Sequence, residues 1–206
     1  MTVTMPTEER NEDRALVVAT RGGDDAAREA LGRRVGRAAY VFALQLTGDR
    51  DAAMDVAQDG VVRFFRNLDR FDEDRPLEPW LYQIVRNRVR DLARSEGRRR
   101  VESLDALLQV GPPTAALRSD PATVDVERAE LQRRIWAAVA ELSDDHREIF
   151  VLRDHHGLSY REIAQALSIP EGTVMSRLHG ARTRLRSLLA AERDPDEPNT
   201  TERGDR

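Results

Sequence analysis

The stretch from Ser159 to Leu189 restricts the fold more than any other part of this sequence. Ser159-Tyr160-Arg161-Glu162 has the form of a capping box, in which a serine hydroxyl and a glutamate three residues later satisfy each other's free backbone N–H groups at a helix start. The short helix it opens turns Ile163, Ala164 and Leu167 inward. Ser168-Ile169-Pro170 follows, and a helix does not readily cross a proline. Residues 171–189 then place Val174, Leu178, Ala181, Leu185 and Leu188 on one face at helical spacing. A short helix, a tight turn and a longer helix make a helix-turn-helix. The second helix turns Thr173, Met175, Ser176, Arg177 and His179 outward near its start, with Arg182 and Arg184 further along. These side chains suit major-groove edges and the flanking phosphates. An ordinary helical hairpin would share the caps, but it needs no arginine face.

Upstream, Leu131, Ile135, Val139 and Leu142 recur at helical spacing and predict a buried stripe. Ser143 is a candidate N-cap, with Asp144 and Asp145 favourable in the first turn of the next helix. Ile149, Phe150 and Leu152 supply its apolar surface, and Gly157 can end it in a left-handed conformation.

The N-terminal half is also helical in pattern. Residues 51–68 are amphipathic, with Met54, Ala57, Val61, Phe64 and Leu68 as the apolar stripe and Asp51, Asp55, Gln58 and Asp59 as a polar one. Such a polar stripe is either a solvated face or a dock for a basic partner. A loop from Phe71 to Pro79, carrying acids, Arg75 and two prolines, leads to Trp80, which is expected to open a long helix. In that helix Leu81, Ile84, Val85, Val89 and Leu92 face the core. Gln83, Arg86, Asn87, Arg90 and Arg94 share the opposite face, where amide and guanidinium groups suit nucleic acid. A loop beside an aromatic ring offers what an unstacked base needs, although core packing explains the Trp80 ring equally well.

The net charge of −4 argues against a DNA binder until its distribution is considered. Residues 80–101 hold seven arginines against two acids, and residues 168–190 hold four against one. Acid collects at 102–148 and after 191. Two basic islands in an acidic chain are consistent with two separate contacts to nucleic acid, or with two solvated helix faces. Lysine is absent, so all 33 basic residues are arginine, the side chain suited to phosphate and base-edge contacts. With no cysteine there is neither a disulfide nor a zinc–thiolate site, and this fits a reducing cytoplasm. No stretch approaches the roughly 20 apolar residues of a membrane span, and the acidic start lacks the apolar core of a signal peptide.

The expected fold class is all-α: two small helical domains joined by a flexible linker. Residues 1–13 are expected to be disordered, 14–100 to form the first domain and 101–123, with Gly111-Pro112-Pro113 and Pro121, the linker. Residues 124–191 form the second domain, and the polar residues 192–206 a disordered tail.

Taken together, these motifs resemble the sigma-70 family of RNA polymerase sigma factors, in its short extracytoplasmic-function group. Asp55, Val56 and Gln58 match the helix that holds the clamp coiled coil of the polymerase β′ subunit, with Asp59 beside them. Phe71, Trp80-Leu81, Ile84, Arg86-Asn87, Asp91 and Arg94 match region 2, which recognises and melts the −10 element. Leu142, Gly157-Leu158-Ser159-Tyr160, Glu162-Ile163-Ala164, Gly172-Thr173-Val174 and Ser176-Arg177-Leu178 match region 4, which reads the −35 element and rests on the β flap. The resemblance implies a non-catalytic, cytoplasmic initiation factor without cofactor or metal. Its partners would be core RNA polymerase, promoter DNA and an anti-sigma factor. Some positions depart from the pattern. Met54 replaces a usual glutamate and Gly60-Val61 a usual Thr-Phe, which bears on the clamp contact. Met175 and Gly180 stand where cations are common, which removes two expected contacts to the −35 element. Ser168 stands where glycine is usual in the turn.

Two rival readings account for less. A helix-turn-helix regulator without polymerase explains only the C-terminal half. A metal enzyme would have to use Asp154-His155-His156 with His146, yet adjacent histidines diverge on a helix and no further ligand cluster stands near.

Overall fold

The computed structural model describes residues 7–95 and 126–191, with side chains over 10–94 and 130–191. The proposed linker 101–123 and the tail 192–206 lie outside the described residues. Among those residues every regular element is helical. The chain forms α1 (Thr7–Arg21), α2 (Asp25–Thr47), α3 (Arg50–Arg66), a 3₁₀ turn (Leu68–Arg70) and α4 (Leu77–Ser95). From residue 126 on come α5 (Val126–Ala140), α6 (Asp144–Phe150), a π-type turn (Val151–His155), α7 (Tyr160–Leu167) and α8 (Glu171–Ala191).

Local chemistry sets most of these boundaries. Asp24 caps α2 by accepting from the Ala27 N–H at 2.9 Å, and Asp49 caps α3 through the Ala52 N–H at 2.7 Å. Between them Gly48 sits at φ +69°, where glycine has no Cβ to clash, so α2 and α3 form a tight antiparallel pair. Helices α1 and α4 complete the first domain around Leu31, Val35, Phe42, Val56, Phe64 and Leu81. The helix expected to begin at Trp80 begins one turn earlier, because Leu77 is buried and draws that turn into the core.

Several expectations need correction. Residues 7–13 are helical rather than disordered. Asp13 is buried and its carboxylate stands 2.7 Å from Arg34 Nε, which anchors α1 to α2. The apolar stripe of α3 is rotated: Ala53, Val56 and Ala57 are buried, whereas Met54 is 47% exposed. Gly60 explains the rotation, since a Cβ there would stand 3.3 Å from Val85 Cγ2, so α3 and α4 approach closely at this position. In α5, Leu131 is 54% exposed, and Trp136, Ala138 and Val139 carry the buried face instead.

In the second domain the capping box is complete. The Ser159 hydroxyl accepts from the Glu162 N–H at 3.2 Å, and Glu162 accepts from the Ser159 N–H at 2.7 Å. Gly157 takes φ +74° as expected. Ser143 stands at the N-cap of α6, but its hydroxyl makes no capping bond. Ser168 takes φ +55° in the turn, the left-handed geometry for which glycine is the usual residue. Val174, Leu178, Ala181 and Leu185 seat α8 on the core.

The two domains do not stand apart. Helix α4 packs along α7, α2 meets α6, and the buried apolar residues of both halves join in one cluster.

Candidate nucleic-acid and polymerase interfaces

Three surfaces follow from this arrangement. The first lies on α3, where Asp51, Asp55 and Gln58 are exposed. Asp59 is partly buried and ion-paired to Arg63 at 3.1 Å and Arg88 at 2.7 Å. Val56 does not belong to this surface. It is 0% exposed, and a side chain fully enclosed in the core cannot reach a partner. Met54, expected in the buried stripe, is exposed here instead, and with Val62, which sequence reasoning passed over, it adds apolar area beside the acids.

The second surface surrounds the loop before α4. Arg21 holds this loop: its guanidinium donates to the carbonyls of Leu68, at 2.6 Å, and Phe71, and pairs with Glu73 at 3.4 Å. No motif in the sequence singles Arg21 out, because its partners lie about fifty residues away. Between α1 and the loop a cavity of about 200 Å³ is lined by Arg10, Arg14, Phe71, Asp74 and Arg75 among others. Phe71 is buried and stacks on Trp80, with ring centroids 4.9 Å apart, while Trp80 also meets Phe64 at 4.8 Å. Phe71 therefore shapes the loop from behind rather than offering a free ring to a base. On α4, Asn87 and Arg94 are exposed and Gln83 is partly so. Arg86 departs from the expected open face. It is only 7% exposed, and its Nε donates to Glu148 of the second domain. Arg90 Nη2 lies 3.1 Å from both Asp145 Oδ1 and Glu148 Oε2.

The third surface is the start of α8. Met175, Ser176 and His179 are exposed, Thr173 is partly so, and Arg184 is exposed further along. Arg177 is committed within the domain, with Nη2 3.0 Å from Asp145 Oδ2. Arg182 forms a paired contact to Asp154, with Nε at 3.0 Å from Oδ2. Gly180 is also a packing position. A Cβ there would stand 3.0 Å from His146 Nε2, so the imidazole occupies the space a larger residue would need.

The Asp154-His155-His156 run is structural. His156 places Nδ1 2.8 Å from the Tyr82 hydroxyl and Nε2 2.7 Å from Gln45 Oε1. Both ring nitrogens are thereby engaged, and desolvation pushes the imidazole well below the usual histidine range, with His155 adding to the effect. His155 sits edge-on to Trp136 at 5.2 Å. Its Nε2 is buried without a hydrogen-bond partner, and desolvation lowers its pKa to about 4. Among the described residues no group of three or more potential ligands could hold a metal.

A pH dependence follows from His155. Its pKa in the fold lies below that of the unfolded chain, so the unfolded chain takes up the proton first. The contribution is complete above about pH 6.5 and is lost as pH falls toward about 4. Burial raises the Glu148 pKa despite Arg86 and Arg90, and this acts with the opposite sign. Comparison with His155→Phe, which keeps the ring contact to Trp136 and leaves Glu148 unchanged, reports His155 together with its effect on His156. The variant should gain on wild type by at most about 1.4 kcal/mol per pH unit across that window, read as the difference in unfolding free energy from denaturant titrations at pH 7 and pH 5.

Comparison with known proteins agrees with the order of these surfaces. Residues 31–99 match the family Sigma-70 region 2, and residues 132–185 match Sigma-70, region 4. That pairing defines a transcription initiation factor of the sigma-70 class. The chain belongs to its extracytoplasmic-function (ECF) group. It is 32% identical to the ECF RNA polymerase sigma factor SigE of Mycolicibacterium smegmatis over 89% of this chain and 70% of that one. It is 37% identical to SigL of Mycobacterium tuberculosis over 72% of this chain and 80% of that one. Among solved structures, CnrH in complex with the cytosolic domain of CnrY superposes with a TM-score of 0.62 at 30% identity, covering 88% of this chain and 99% of that one. RpoE in complex with the anti-sigma factor NepR from Bartonella quintana gives 0.59 at 29% identity, covering 82% and 99%. No helix among the described residues is long and apolar enough to cross a membrane.

Proposed function

We propose that this chain acts in the cytoplasm purely by binding. The α3 face at Asp55 and Gln58 docks on the β′ clamp of core RNA polymerase. The loop 72–79 with Asn87, Arg90 and Arg94 engages the −10 element, and the start of α8 reads the −35 element while region 4 rests on the β flap. The observation that carries this reading is the exposure of Asp51, Asp55 and Gln58 on one side of region 2 and of Asn87 and Arg94 on α4. Neither set has a packing role that would explain it.

Strand opening by such a protein draws on binding energy. A base captured in the cleft between α1 and the loop offsets part of the unstacking cost, which is a few kcal/mol. The cleft mixes Arg10, Arg14 and Arg75 with Asp13, Glu73, Asp74 and Glu78, polar groups suited to an exposed base edge, and the loop carbonyls are held in place by Arg21. On region 4, reading falls to Ser176, His179 and Arg184, with Arg177 available once it leaves Asp145. Regulation by an anti-sigma factor is consistent with the two superposed relatives, both captured in complex with a second protein.

Transcription in vitro from genomic DNA with purified core polymerase tests the whole reading: chain-dependent initiation at a defined set of start sites is the expected result. Asn87→Ala tests the −10 assignment. Permanganate reactivity of promoter thymines should fall several-fold while affinity for core polymerase stays within about twofold. Normal opening by the variant would confine Asn87 to a structural role.

A further inference from the structure

We propose that Met175 sets base preference within the −35 element by selecting a thymine, through contact of its thioether with the thymine 5-methyl group. The inference rests on the assignment of the start of α8 to that element. Met175 is 50% exposed, while its neighbours Val174 and Leu178 on the same helix are buried. It is neither part of the apolar core nor packed against it. On the outward side of α8 it stands between Gly172, one turn before, and His179, one turn after, both exposed. Gly172 has open space beside it, with nothing within 4 Å of where a Cβ would stand. A groove wall can therefore approach Met175 from that side.

What a side chain reads in the major groove follows from the groups it carries. The base pairs present hydrogen-bond acceptors, amino donors and a single apolar feature, the methyl group of thymine. A thioether donates no hydrogen bond, and its sulfur accepts only weakly. Against guanine, Met175 would strip water from acceptor atoms without replacing the bonds lost, which costs binding. Against thymine it covers the methyl group, and its unbranched chain adapts to the shape of the groove. The nearby cations that could override this preference are engaged within the domain. Arg177 Nη2 lies 3.0 Å from Asp145 Oδ2, and Arg182 Nε lies 3.0 Å from Asp154 Oδ2. The exposed strip of Gly172, Met175, Ser176 and His179 thus carries no guanidinium, the group that most often reads guanine.

The test uses the full chain bound to core polymerase, with promoter duplexes whose −35 element is defined by the chain-dependent start sites. Each thymine of the element, on either strand, is replaced in turn by deoxyuridine, which removes only the methyl group. Wild type should lose roughly fourfold in affinity at the position facing Met175, the worth of one methyl group moved out of water. Met175→Ala should bind thymine and deoxyuridine equally at that position, and Met175→Leu, which keeps an apolar tip, should restore the difference. The readout is a ratio of affinities for two duplexes with the same protein, so any change in folding or core affinity cancels. The absence of any methyl-sensitive position in wild type would overturn the proposal, as would a sensitivity that Met175→Ala retains in full. A duplex with a scrambled −35 element tells this failure from failure of the −35 assignment. If scrambling weakens wild-type binding, the element is still read and only the role of Met175 falls. If scrambling leaves binding unchanged, the assignment itself has failed and the proposal falls with it.

Discussion

Arg86→Met is expected to weaken the docking of the two domains by about 3–5 kcal/mol, the usual cost of leaving one member of a buried ion pair unpaired. Glu148 is 4% exposed, and its Oε1 accepts from Arg86 Nε while Oε2 lies 3.1 Å from Arg90. Burial already pushes its pKa up, so the ionised form is held by the two guanidinium groups and little else. Without Arg86 the carboxylate either takes a proton or regains water. The domains can supply water by separating, which caps the loss at the free energy of docking. Energy transfer between dyes on the two domains should therefore fall while helical content remains. The double variant Arg86→Met with Glu148→Met should recover most of the loss, because two apolar side chains of similar length replace the pair without an orphaned charge. Additive effects, with no recovery in the double variant, would show that Arg86 and Glu148 act independently.

The second large effect lies on the opposite side of region 2. Asp55→Arg combined with Gln58→Ala should reduce affinity for core polymerase by tenfold or more, about 1.4 kcal/mol or above, with helical circular dichroism unchanged. Both side chains are exposed on α3, one turn apart, and neither contributes to the core beneath, which Ala53, Val56 and Ala57 fill. Reversing a charge at an interface costs both the lost attraction and a new repulsion. The effect should shrink at higher salt if Asp55 lies at the rim of the contact. Fluorescence titration of labelled chain with core polymerase measures it, and equal affinities for variant and wild type would remove the clamp assignment. Val56 serves as the contrasting position. Val56→Ala opens a core cavity and should lower stability, by about 1–3 kcal/mol, with any change in polymerase affinity following from folding alone.

Much of the fold was legible because it is encoded locally. The capping box at Ser159 and Glu162, the left-handed Gly157, the turn at Ser168 to Pro170 and the apolar face of α8 each depend on residues within one or two turns of one another. The outward face at Ser176 and His179 follows directly from that periodicity. The rotation of α3 was less legible. Met54 and Val56 are both apolar, and only the close approach at Gly60 to Val85 decides which of them is covered. Gly180 shows the same effect. In sequence it shows only as the absence of a cation, and the fold adds that its missing side chain leaves the space His146 occupies.

The sequence by itself determined the all-helical class, the two-part order, the helix-turn-helix and the residue types on its polar faces. All of these are short-range patterns of apolarity, capping and charge. Tertiary structure alone decided which of those charges are free. Arg86, Arg90 and Arg177 look alike as arginines on polar faces, yet all three meet Asp145 or Glu148, up to 62 positions away in the chain. The physical reason is that ion-pair partners are chosen by distance in space and by desolvation. A one-dimensional pattern carries a residue's charge and its helical face, but not the carboxylate that packing within and between domains brings against it.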